Sequence, residues 1–101
     1  MARVVEIPLS PQNQQFDIQL NGINYKMRLM WRDIAGWILD IMTPDSEFIV
    51  TGLPLVFGID LLEQYRHLGF NGSLIFYGDI NQEKPFRNNL GKEDRLYFVI
   101  S

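Results

Sequence analysis

Phe16-Asp17-Ile18-Gln19-Leu20-Asn21-Gly22-Ile23-Asn24-Tyr25-Lys26-Met27-Arg28-Leu29-Met30-Trp31 is the stretch that decides the fold. Apolar residues alternate on both sides of Asn21-Gly22: Phe16, Ile18 and Leu20 before it, then Ile23, Tyr25, Met27, Leu29 and Trp31 after it. Successive side chains on a strand point to opposite faces, so each arm has an apolar face and a wet one. Asn-Gly supplies the two positive-φ residues that a type I′ turn requires, and the stretch therefore reads as a β-hairpin. Asp17, Gln19, Lys26, Arg28 and Arg32 decorate the far face. A lone hairpin is marginal in water, so the rest of the chain must cover its apolar side.

Moving outward, Val4, Val5 and Ile7 form a short first strand that Pro8 and Pro11 terminate, with an edge position expected because proline cannot continue a ladder. After the hairpin, Arg32 to Ala35 is a turn. Gly36 to Met42 then reads as a strand with Trp37, Leu39 and Ile41 on one face and Ile38, Asp40 and Met42 on the other. A helix from an Asp33 cap would be the competing reading. The aromatic and aliphatic content of the segment and the Thr43-Pro44-Asp45-Ser46 turn cluster favour the strand. Glu47 to Thr51 is a further strand that Gly52 ends, and Leu53 to Ile59 is contiguous and apolar, which reads as a buried segment rather than an exposed contact surface.

Asp60-Leu61-Leu62-Glu63 has the pattern of a capping box, with Gly69 as the stop, so one short helix is expected over residues 60–68. Asn71-Gly72 is a second turn signal. Ser73 to Tyr77 and Arg95 to Ile100 are the last two strands, separated by a long polar stretch, Gly78 to Gly91. The expected fold is therefore all-β: a small antiparallel barrel or sandwich of about seven strands, with the short helix plugging one open end. The first and last strands are expected to leave main-chain groups free for another chain.

The composition supports a single β domain over residues 1–101, with 47% hydrophobic residues and 13% aromatics to fill a small core. There is no cysteine, which excludes disulfides and thiolate metal sites. Neither a signal-peptide pattern nor an apolar run long enough for a spanning helix is read, so no membrane insertion is expected. A net charge of −3 argues against nucleic-acid binding, although Lys26, Arg28 and Arg32 make a local basic run.

Candidate chemistry is sparse, and no catalytic, cofactor-binding or metal-binding residue is assigned. His67 is the single histidine and reads as a helix-end residue. Asp40, Asp45 and Glu47 could gather oxygen ligands for calcium, but their spacing matches no EF-hand loop. Asp33, Asp40, Asp60 and Asp79 supply the residue type of a glycosidase pair in a chain too short for a roomy cleft. Gly52, Gly58, Gly69 and Gly72 stand at strand ends and form no phosphate-cradling loop. Trp31 and Trp37 raise the alternative of a carbohydrate- or host-surface-binding module. Their phase with apolar neighbours places them in the core.

The order of segments resembles a known family. The segments are Glu6-Ile7-Pro8-Leu9-Ser10-Pro11, Gln14-Gln15-Phe16, Arg28-Leu29-Met30-Trp31 and Trp37-Ile38-Leu39-Asp40-Ile41, followed by Gly52-Leu53-Pro54-Leu55-Val56-Phe57-Gly58-Ile59-Asp60-Leu61-Leu62 with Tyr65. Gly72-Ser73-Leu74, Asn89-Leu90-Gly91 and Arg95-Leu96-Tyr97-Phe98 complete the set. Nearly the whole chain resembles the small plug-like baseplate proteins of contractile-tailed bacteriophages, found in cyanophages and many prophages. That resemblance implies a structural virion protein rather than an enzyme, made in the host cytoplasm and carried in the tail baseplate. It implies a plug at the central hub that closes the tail channel, with other hub proteins as partners and a symmetric homo-oligomer as a further expectation.

Overall fold

The computed structural model describes residues 3–78 and 87–100. Seven strands run antiparallel in two sheets: β1 (Arg3–Ile7), β2 (Gln14–Leu20), β3 (Ile23–Arg32), β4 (Gly36–Met42), β5 (Phe48–Pro54), β6 (Gly72–Tyr77) and β7 (Arg95–Ile100). One sheet has the order β2-β3-β4-β5 and the other β1-β7-β6. The sheets do not close into a barrel, so of the two architectures the sequence allows, the sandwich is the one formed.

The hairpin has the expected register. Phe16 faces Met27, Ile18 faces Tyr25 and Leu20 faces Ile23 across β2 and β3. Asn21 and Gly22 have φ of 51° and 82°, the pair of left-handed residues that the tight turn demands. Side chains of one parity on β3 and β4, namely Met27, Leu29, Trp37, Leu39 and Ile41, are fully buried. They share one core with Leu74 and Phe76 of β6 and Leu96 and Phe98 of β7. The two sheets therefore cover each other's apolar faces, which is what a hairpin too small to stand alone requires.

The short helix expected near residues 60–68 forms as a 3-10 segment, Glu63–Leu68, kinked at Tyr65 and followed by left-handed Gly69. Other expectations are corrected. Asp60 does not cap it in the predicted box. Its carboxylate instead accepts from the amides of Leu62 at 3.0 Å and Leu74 at 3.1 Å, binding the segment to β6. With no closed barrel, this segment plugs no barrel end.

Gly52 does not end β5, which continues to Pro54 through a left-handed Gly52 (φ 69°) beside irregular pairing with β4. The apolar run after it is only half buried: Leu53 and Leu55 are in the core, while Val56 and Ile59 are exposed. Finally, β7 is not an edge. Its main chain pairs with β1 on one side and β6 on the other, so among the described residues only β1 keeps the predicted open edge. Segment 57–61 runs against β6, with the Gly58 amide donating to the Phe76 carbonyl and the Leu61 amide to the Leu74 carbonyl. The polar stretch 78–91 falls largely on residues 79–86, which lie outside the described residues.

Candidate docking surfaces

Two of the carboxylates that the sequence offers for chemistry, Asp40 and Asp60, hold the backbone. Asp40 is buried on β4, where Oδ2 accepts from Arg28 Nη2 at 2.6 Å and Oδ1 accepts from the Gly52 amide at 2.8 Å. Asp60 accepts from two amides and, through Oδ2, from Arg66 Nη2 at 2.7 Å. Asp45 and Glu47 are exposed in the β4–β5 turn, and Asp33 is exposed at the tip between β3 and β4. Asp79 lies outside the described residues. Among the described residues, no three His, Asp or Glu side chains converge as a metal-ligand set. His67 is exposed in the last turn of the 3-10 segment.

The indoles do not form an open platform. Trp37 is completely buried, and Trp31, half-buried, packs edge-on to it with ring centroids 5.3 Å apart. This is the core reading of the tryptophans. It removes the flat exposed face on which the sugar-binding alternative depends. The basic run is dispersed as well: Lys26 donates to the Ser46 hydroxyl, Arg28 is neutralised by Asp40 and lies over the Phe48 ring, and Arg32 alone points its charge from an exposed strand end.

What the surface does present is apolar. Val4 of β1 is 63% exposed and Val5 38%, on a strand that pairs on one side only among the described residues. Ile34, at the tip of the β3–β4 hairpin, is 94% exposed. A groove of about 290 Å³ lies between β5 and the segment after it, lined by apolar Pro54, Val56 and Ile59 and by polar Asp60, Glu63 and Gln64. Neither the tip nor the groove was singled out by hydrophobic periodicity. An isoleucine between Asp33 and Ala35-Gly36, in a turn that asks for polar residues, was the available signal for the tip.

The fold is thus a pair of packed β-sheets braced by Asp40 and Asp60, with apolar side chains exposed on β1 and at the β3–β4 tip. The chain belongs to the family described as "Cyanophage baseplate Pam3 plug gp18", whose model matches residues 4–101. It is thus a structural component of the phage virion, a baseplate plug that associates with baseplate proteins, and its family is not one of enzymes. No curated protein matches the chain.

Proposed function

We propose that the chain is a single β domain, with no catalytic, cofactor or metal site of its own, that seats at the central hub and closes the tail channel by filling it. The observation that carries the docking part of this reading is the edge of β1. Val4 and Val5 are exposed on a strand whose amides and carbonyls, among the described residues, are paired only on the β7 side. Such an edge accepts an extended segment of another chain as an added strand, with main-chain bonds giving affinity and alternate side chains giving register. A hub protein supplies that segment in this reading. The body, 33 × 31 × 22 Å, then acts as a stopper held by its rim.

The decisive experiment deletes the gene from the phage and images the particles. Tails that lack the central density, together with lost or leaky infectivity, support the plug role at the hub. Normal baseplates with undiminished infectivity overturn it. A Val4→Lys variant then addresses the docking edge. The purified protein keeps wild-type stability, because the position is open to water, while incorporation into tails falls.

A further inference from the structure

We propose that the partner docked on β1 adds a second extended segment to β2, so that one protein prolongs both sheets of the sandwich on the same side. The second contact rests on the β1 docking of the plug reading and names what the partner brings to it. The strand edges are not equivalent. Among the described residues, the free side of β6 is taken by segment 57–61, whose Gly58 and Leu61 amides donate to β6 carbonyls. The edge of β5 is blunted by left-handed Gly52, by irregular pairing with β4 and by Pro54. The edge of β2 has none of these devices. Gln14–Leu20 pairs with β3 in unbroken register over seven residues and contains neither proline nor glycine. A regular edge of that length is a template for another strand. It also lies on the β1 side of the molecule. Only residues 8–13 separate β1 from β2, and Gln14 folds back on them, its Oε1 accepting from the Ser10 amide at 3.1 Å and its Nε2 donating to the Ser10 carbonyl at 2.7 Å. Segment 57–61 links β5 to β6 on the opposite side.

The side chains along the two edges specify the incoming segments. Val5 stands opposite buried Phe98, and Phe16 and Ile18 stand opposite buried Met27 and Tyr25, so all three face the core. Yet Val5 is 38% exposed and Phe16 and Ile18 are only half-buried, because among the described residues no strand follows to cover them. Incoming strands with an apolar residue at every second position complete the core there. Charge specifies the other face. Asp17, on the outer side of β2, is exposed and makes no ion pair among the described residues. Lys26 is directly opposite but donates to the Ser46 hydroxyl instead. The segment on β2 therefore carries a lysine or arginine in the outward row beside Asp17. The same residue selects against a second copy of this chain. Asp17 is the middle residue of Gln14–Leu20, so full antiparallel overlap of two β2 strands sets Asp17 opposite Asp17, and like charges directly opposite repel.

The test places a photo-crosslinker at position 17, and separately at position 4, in the full chain assembled into phage tails. Both positions are expected to join one partner protein, at two different segments of alternating apolar residues, with a basic residue close to the site reached from position 17. Asp17→Lys lowers incorporation into tails at least about tenfold, and exchanging the cross-linked basic residue for glutamate restores it. Asp17 is exposed, and a thermal melt of the purified variant checks that the fold is kept. No product from position 17, products with a second copy of this chain, products with different proteins from the two positions, or wild-type incorporation of Asp17→Lys overturns the proposal. Any of those results alongside a product from position 4 leaves the β1 docking standing. The absence of a product from position 4 removes the β1 docking and this inference together, and neither result bears on the gene deletion.

Discussion

Arg28 and Asp40 meet across β3 and β4 with 2.6 Å between Nη2 and Oδ2, and the other oxygen of Asp40 takes the amide of Gly52 on β5. One carboxylate thus ties three consecutive strands where the β4–β5 ladder loses its regular register. The Phe48 ring, 5.4 Å from the Arg28 guanidinium, shields the pair from one side. Asp40→Ala orphans the Gly52 amide and the guanidinium together, so it is expected to cost about 2 kcal/mol. Arg28→Ala leaves the Gly52 bond in place but strands the buried Oδ2 of Asp40 without its cation, so a loss of about 1–3 kcal/mol is expected. Urea denaturation reads both as shifts of midpoint at constant slope. An Asp40→Ala midpoint equal to wild type contradicts the clamp.

Asp60 makes a second such brace, joining the 3-10 segment to β6 through the amides of Leu62 and Leu74. Asp60→Ala is expected to destabilise by about 2 kcal/mol and, more tellingly, to raise hydrogen exchange at those two amides first. Arg66→Ala removes only an exposed partner of the same carboxylate and leaves both amides protected. Equal exchange in the two variants would show that the brace is not local to the carboxylate.

The contrast between these aspartates and the hairpin marks what the sequence discloses. Alternation of Phe16 through Trp31 specifies faces, and faces specify the sandwich, because side-chain parity is a local property of the chain. Asp40 reads as a free carboxylate and Asp60 as a helix cap, since the amides of Gly52 and Leu74 that bind them are backbone, distant in sequence, and carry no residue signature. The position of β7 in the middle of its sheet was likewise hidden. Its pairing with β1 joins residues 3 and 100, a non-local contact that no window along the chain contains. Ile34 was hidden, and Leu53 to Ile59 was read as buried where Val56 and Ile59 are exposed, because exposure depends on what fails to pack there.

Gly72 lies against β7, and a Cβ built on it would stand 2.5 Å from the Phe98 ring and 2.6 Å from the Val99 carbonyl oxygen. A ring can turn, but a ladder carbonyl on the neighbouring strand cannot. Gly72→Ala is therefore expected to cost about 3 kcal/mol through overpacking, and trimming the ring with Phe98→Leu does not recover it. Gly22, by contrast, has open space around its Cβ position and only a φ of 82° to defend. Gly22→Ala should cost about 1 kcal/mol from backbone strain alone. Thermal melts separate the two, since 1 kcal/mol moves the midpoint of a domain this size by roughly 4–8 °C.

Tyr25 gives the fold an alkaline limit. Its ring is buried against Phe70, with centroids 5.4 Å apart, and desolvation raises its phenol pKa above the ordinary 10.0. Burial disfavours the phenolate, so the folded chain holds the proton more tightly than the unfolded chain does. Below pH 10 both states are protonated at this group and stability is at its full value. As pH rises past 10.0 the unfolded state releases the proton first, and stability falls until the folded pKa is passed. Denaturation midpoints measured at pH 9 and pH 11 should therefore drop more steeply for wild type than for Tyr25→Phe, which keeps the ring and deletes the proton. Parallel losses in the two proteins would assign the alkaline limit to other groups.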